Sequence, residues 1–187
     1  TGWDRLNRNG PVVAHIAETE GVAAIAVHGR TRACGFSGEA EYLTISEIKQ
    51  TVGIPVIANG DIDSPEKARQ VLQKSGADAL MIGRAAQGRP WIFREIEHYL
   101  ATGEKRSPPS TSWIRDLLLE HVQNLHLFYG AERGVPVARK HIAWYSKTHP
   151  GGAQFRKTIN KIETAEDQLT LIRDFFDKLS TTKELAA

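Results

Sequence analysis

Residues 54–84 read IPVIANGDIDSPEKARQVLQKSGADALMIGR, and this stretch decides the fold. It opens on a short apolar run, 54–58, with the length and composition of a buried strand. Asn59-Gly60-Asp61 then turns the chain off that strand. Ser64-Pro65 supplies a helix N-cap followed by proline at the first helical position, where its missing N–H has no bond to lose. The helix should run to about Ser75. A second apolar strand, 77–82 (ADALMI), ends at Gly83-Arg84. Strand, helix and strand in this order form a right-handed βαβ unit with parallel strands.

The same alternation extends upstream. Residues 10–20 place Val13, Ile16 and Ala17 at helical spacing, with Gly21 set to stop the helix. Residues 22–28 (VAAIAVH) form another nearly continuous apolar run, as in a strand covered on both faces. A polar, glycine-containing loop follows, and then a helix over 43–52. The chain is therefore α/β with three parallel strands. Three strands do not close a barrel, so either the sheet is open and doubly wound or four or five strands lie outside this chain. The opening Thr1-Gly2-Trp3-Asp4 has neither an initiator Met nor the layout of a signal peptide, and favours the second reading.

Downstream the pattern changes. Residues 102–112 (TGEKRSPPSTS) have the composition of a linker. Residues 113–129 read as an amphipathic helix with Leu117, Leu118, Val122, Leu125 and Phe128 on its apolar stripe. Helices are expected over 135–148, 153–162 and 164–179, the last carrying Leu169, Ile172, Phe175, Phe176 and Leu179. The expected organisation is a partial barrel over 1–101, the linker, a small all-α bundle over 113–180 and a disordered tail over 181–187.

The 187 residues are 41% hydrophobic and 25% charged, as in an ordinary globular protein. No apolar run approaches the roughly 20 residues of a membrane span. The single cysteine, Cys34, rules out an internal disulfide framework and suits a reducing cytosol. The net charge of +2 hides a segregation: between Arg133 and Lys161 there are seven basic residues (Arg133, Arg139, Lys140, Lys147, Arg156, Lys157, Lys161) and no acid. Such a stretch makes a local anion-binding surface, unless it is chance clustering on a solvated face.

In parallel α/β arrays the residues just past the strand C-termini face the functional side. Those positions are His28-Gly29-Arg30, Asn59-Gly60-Asp61 and Gly83-Arg84-Ala85. Glycine lets backbone N–H groups approach a ligand closely. A helix beginning at Arg84 would aim its N-terminal N–H groups at the same point, and Arg84 could add a charge-assisted contact. NGD and GR on consecutive strands thus indicate a phosphate site. The plain alternative is that the glycines only punctuate tight turns. His28 is a candidate to reach a carbonyl of a cofactor ring, or else a hydrogen-bonded structural residue. Cys34 reads as an incidental loop residue, since no partner is placed to activate it. No His/Cys/Asp/Glu set has metal-ligand spacing, and no metal is expected.

Four strings carry a resemblance: HGRTRACGFSGEAEY (28–42), IPVIANGDI (54–62), GADALMIGRAAQGRPWIF (76–93) and ARKHIAWY (138–145). Together and in this order they resemble the tRNA-dihydrouridine synthase family, closest to its bacterial B-type members, over essentially the whole chain. The resemblance implies a cytoplasmic oxidoreductase, a flavoprotein built as a TIM (β/α)8 barrel with FMN at its mouth and an appended RNA-binding bundle. NADPH would reduce the flavin, the flavin would pass hydride to carbon 6 of a uridine in tRNA, and a cysteine would protonate carbon 5. Asn59, Gly60, Asp61, Gly83 and Arg84 would bind the FMN phosphate end, and His28 the flavin ring or uracil. Arg139, Lys140 and His141 would lie against tRNA, with Arg30 at the same mouth; Trp144 and Tyr145 could stack on bases but more often such aromatics are core.

The strands would be the sixth to eighth of the barrel. The family's catalytic cysteine, in a Gly-Cys-Pro context, and its flavin-contacting lysine have no match here. No catalytic residue is therefore assigned, and the chain alone is expected to be an inactive, poorly soluble fragment with an exposed sheet edge and a monomeric state. The alternatives are another FMN- or phosphate-binding TIM-barrel enzyme, which has no need of the basic helices, and a non-catalytic RNA-binding relic.

Overall fold

A computed structural model describes residues 1–184, with side chains to Thr181. The chain divides into two compact units: Thr1–Ala86 with Pro90–Arg106, and Gln87–Arg89 with the residues from Ser107 onward.

The first unit holds a three-stranded parallel sheet in the order β1 (Ile25–His28), β2 (Val56–Asn59), β3 (Ala79–Met81). The helices are α1 (Gly10–Thr19), α2 (Leu43–Thr51), α3 (Pro65–Ser75) and α4 (Ile92–Thr102). The Ser64 hydroxyl accepts the Lys67 N–H at 3.2 Å and Gly76 closes α3 in the left-handed conformation, so this helix is bounded by its own sequence. Asp78 locks the sheet from one side: its carboxylate accepts the Val56 N–H at 2.7 Å while its own N–H donates to Val56 O at 2.9 Å. Glu18 does similar work at the end of α1, accepting the N–H groups of Gly53 and Ile54 at 2.7 and 3.1 Å.

Strand alternation sends Val27, Val56 and Ala58 into a core shared with Ile45, Ile48 and Val71 of α2 and α3. The other face carries Ala26, His28, Ile57, Asn59, Ala79 and Met81, and Met81 is 46% exposed. The apolar strand runs had suggested cover on both faces; among the described residues of this unit only one face is packed. On α1, Val13 and Ile16, which carry its helical spacing, are 50% and 55% exposed, and Ala14 alone is fully packed. The helix at Arg84 is also shorter than expected. It is one 3₁₀ turn, Arg84–Ala86, and the next α-helix, α4, begins only at Ile92.

The second unit is helical: α5 (Thr111–Tyr129), α6 (Ala131–Tyr145), α7 (Gly152–Ile159) and α8 (Ala165–Glu184). Leu118, Val122, Ala138, Ile142, Ile172 and Phe176 are wholly buried and form its centre. Phe128, placed on the apolar stripe of α5 by its spacing, is instead 81% exposed. Helix α6 starts four residues before the expected 135, with Pro136 inside it. Proline removes the N–H that would pair with the Glu132 carbonyl, but both residues are exposed, so water can satisfy that oxygen. Gly134 allows α5 and α6 to meet closely, since a Cβ there would lie 2.8 Å from His126 Cα. The buried Gln168 joins three helices, donating to Val135 O at 3.1 Å and accepting from His126 Nε2 at 2.8 Å. Helix α8 continues to Glu184, into the stretch expected to be a disordered tail; 185–187 lie outside the described residues. Among the described residues no helix is long and apolar enough to cross a membrane, and no cluster of three or more His, Cys, Asp or Glu could hold a metal.

Candidate functional site

The parallel register sets His28 beside Asn59 and Asn59 beside Met81, so one row of residues ends all three strands. A cleft of about 620 Å³ opens there, lined by His28, Phe36, Asn59, Asp61, Gly83 and Arg84 among others. Its size falls within the roughly 300–1,000 Å³ usual for small-molecule sites.

The floor of the cleft is held by charge. Arg30 is buried, and its guanidinium grips Asp61 through two bonds, Nη1 to Oδ1 at 2.9 Å and Nη2 to Oδ2 at 2.7 Å. Arg30 also donates to Gly38 O at 2.6 Å, and Ala40 N–H donates to Asp61 Oδ2 at 2.8 Å. Burial alone would raise the Asp61 carboxyl, but Arg30, the Ala40 N–H and Arg84 outweigh it and hold it below the usual carboxylate range. Asp61 adopts a left-handed backbone, φ 48°, which an L-residue keeps only when its surroundings hold it there. Gly60 precedes it at φ 125°; a Cβ there would meet Ala40 Cβ at 2.7 Å. The Tyr42 hydroxyl donates to Gly60 O at 2.8 Å, and burial with the nearby Asp61 charge pushes that phenol up to about 12.

The rim is open. Nothing lies within 4 Å of the point a Gly83 side chain would occupy. As the first groups of a helical turn, the Gly83 and Arg84 N–H have no intrahelical acceptor, and no hydrogen bond among the described residues uses them. The Arg84 side chain is 65% exposed, 3.4 Å from Asp61 Oδ1 and 5.4 Å from the centre of the Phe36 ring. The expected site residues therefore divide. The backbone N–H groups of Gly83 and Arg84 face the opening unused and the Arg84 guanidinium makes only a long bond to Asp61, whereas Arg30 and Asp61 are closely paired. Arg30, expected at the mouth or against RNA, is buried behind Asp61 and is not among the residues that line the cleft. Phe36 and Met81 were passed over in sequence; the only signal was one large apolar side chain in a polar loop and the last residue of a strand.

In the helical unit the basic residues also divide. Arg139 donates to Ile162 O at 2.8 Å and ties α6 to the segment after α7. Lys140 is exposed, with its ammonium 5.1 Å from the Trp144 ring centre. His141 is half-buried, its ring 4.8 Å from that of His121 on α5. Tyr145 is 4% exposed and belongs to the core.

The family model described as "Dihydrouridine synthase (Dus)" matches residues 1–180. The chain belongs to the dihydrouridine synthase family. It is 60% identical over 179 residues to tRNA-dihydrouridine synthase B of Xanthomonas axonopodis pv. citri, covering 96% of this chain and 54% of that protein. The proteins of the same name from Pseudomonas aeruginosa and Vibrio cholerae are 59% and 54% identical, over 94% and 97% of this chain and 53% and 56% of their own lengths. The chain thus spans about half the length of the curated relatives it matches. Within this dihydrouridine synthase chain Cys34, read as an incidental loop residue, has two polar neighbours. Its thiol accepts from Thr31 Oγ1 at 3.0 Å and, with Arg5 beside it, is held below the ordinary thiol value.

Proposed function

We propose that this chain carries the phosphate end of an FMN site and the RNA-binding helices of a tRNA-dihydrouridine synthase, which reduces uridine in tRNA to 5,6-dihydrouridine with NADPH as reductant. Its strands would be the sixth to eighth of a TIM barrel. One packed and one uncovered sheet face support that reading, since a barrel wraps helices around the outside and fills its interior with side chains from other strands.

The observation that carries the cofactor assignment is the Gly83-Arg84 corner. Open space, two unused N–H groups and an exposed guanidinium meet there, beside a second glycine turn on the neighbouring strand. This donor set fits a phosphate. When bound, FMN would supply the hydride for the uracil ring. Asn59, Gly60 and Asp61 would shape the adjoining wall, with Asp61 neutralised by Arg30 rather than facing the phosphate. Lys140 and the exposed lysines of 147–161 would meet the tRNA backbone.

Flavin fluorescence quenching tests the corner. FMN should bind the chain at least about tenfold more tightly than riboflavin, which lacks the phosphate, and Arg84→Ala should erase most of that difference. Equal binding of the two, or an Arg84→Ala variant that keeps the preference, would overturn the phosphate assignment.

A further inference from the structure

Asn59 stands between two partners whose chemistry fixes its orientation. The Met81 carbonyl oxygen can only accept, so the Asn59 atom 2.6 Å from it is the amide nitrogen. The amide oxygen is thereby turned toward His28 and lies 2.6 Å from Nδ1. An amide oxygen also only accepts, so the proton in that contact sits on His28 Nδ1. The opposite tautomer would set two lone pairs against each other at 2.6 Å. In the neutral ring Nε2 is then the bare nitrogen, and no hydrogen bond among the described residues uses it although His28 borders the cleft.

We propose that Asn59 is a positioning residue that holds His28 in its Nδ1–H tautomer, offering Nε2 to the cleft as the acceptor for a cyclic imide N–H. A neutral His28 so held cannot donate to a ring carbonyl, which is the role its place at the strand end first suggested. A cyclic imide, an N–H between two carbonyls, is present on both an isoalloxazine and a uracil ring. The imide assignment rests on the flavin and uridine reading above; the tautomer does not. The device depends on parallel register, since only strands aligned as His28↔Asn59↔Met81 bring the three groups into one row.

Two measurements test it. Long-range ¹⁵N–¹H NMR of the chain labelled with ¹⁵N-histidine, His28 being assigned by its loss in His28→Phe, reads the tautomer directly. With the ring neutral, Nδ1 should be protonated and Nε2 bare, and Asn59→Leu should abolish that preference. A wild-type spectrum with Nε2 protonated overturns the proposal, whether or not the variant folds and whether or not any flavin binds. Affinities are then compared for FMN against its N3-methyl derivative, and for uridine monophosphate against its own. Methylation should weaken one pair about tenfold, naming the ring that meets His28, and the discrimination should vanish in His28→Phe, where steric exclusion alone would persist. Equal affinities within both pairs overturn the imide assignment. Loss of FMN binding with the tautomer intact counts against the flavin reading alone.

Discussion

Asp61 shows how the fold gives a residue a partner that its motif does not name. In sequence it sits in an NGD turn beside a suspected phosphate; in the structure its carboxylate neutralises Arg30, whose side chain is only 4% exposed. Breaking a pair of this kind leaves a buried cation without its anion, which costs about 3–5 kcal/mol for fully buried pairs. Asp61 is 27% exposed, so Asp61→Asn should fall near or below the lower end, about 2–3 kcal/mol in urea unfolding. The sign with pH follows from the depressed carboxyl. Its contribution is complete above the unfolded value near pH 4 and is lost as pH falls through the lower folded value. The wild-type advantage over Asp61→Asn should thus be flat from about pH 5 upward and shrink below about pH 4; an advantage that grows on acidification would refute the ion pair as its source. None of this was legible in the sequence, because Arg30 and Asp61 stand on different strand ends and meet only once the register is set.

At the scale of elements, what was legible was what the chain decides locally. Ser64-Pro65 opens α3 and Gly76 closes it, whereas Ser110, which caps α5 by accepting the Trp113 N–H at 3.1 Å, lay inside the stretch read as a linker. Elements without local punctuation were misplaced or passed over. Helix α4 starts at Ile92 behind Trp91, which offers no side-chain cap, and α6 begins at Ala131 rather than at the expected 135. The histidines joining α5 and α6 give that pairing a pH dependence. Burial lowers His121, and burial together with His121 and Lys140 lowers His141. A histidine held below its unfolded value stabilises the fold fully above about pH 6.5, and the contribution is lost as pH falls through the folded value. The melting temperature of the helical unit should therefore drop between about pH 7 and 5, and the drop should be smaller in the His121→Gln, His141→Gln double variant. An equal drop in that variant would place the titrating groups elsewhere.

At the scale of the whole chain, the two proposed binding tasks fall on different units, and in the basic stretch the fold distinguishes residues that a charge count treats alike. Seven basic residues between 133 and 161 suggested a uniform RNA face, with Arg139, Lys140 and His141 at its centre. The fold gives these three different work: Arg139 anchors α6 to the Ile162 carbonyl, His141 packs against His121, and only Lys140 stands exposed. Each phosphate contact releases about one counterion, so its loss lowers the slope of log affinity against log salt by nearly one. Lys140→Ala should therefore weaken tRNA binding, reduce that slope by about one and leave both the melting temperature and FMN affinity unchanged. Arg139→Ala should instead lower the melting temperature, by removing a bond worth about 1 kcal/mol and packing along the guanidinium stem, with its loss of tRNA affinity following the loss of fold. Arg139→Lys, which keeps the charge but not the planar reach to Ile162 O, separates the two cases. If tRNA binding depends on charge at 139, Lys restores it; if it depends on the anchor, Lys does not, and melting temperature and affinity fall together.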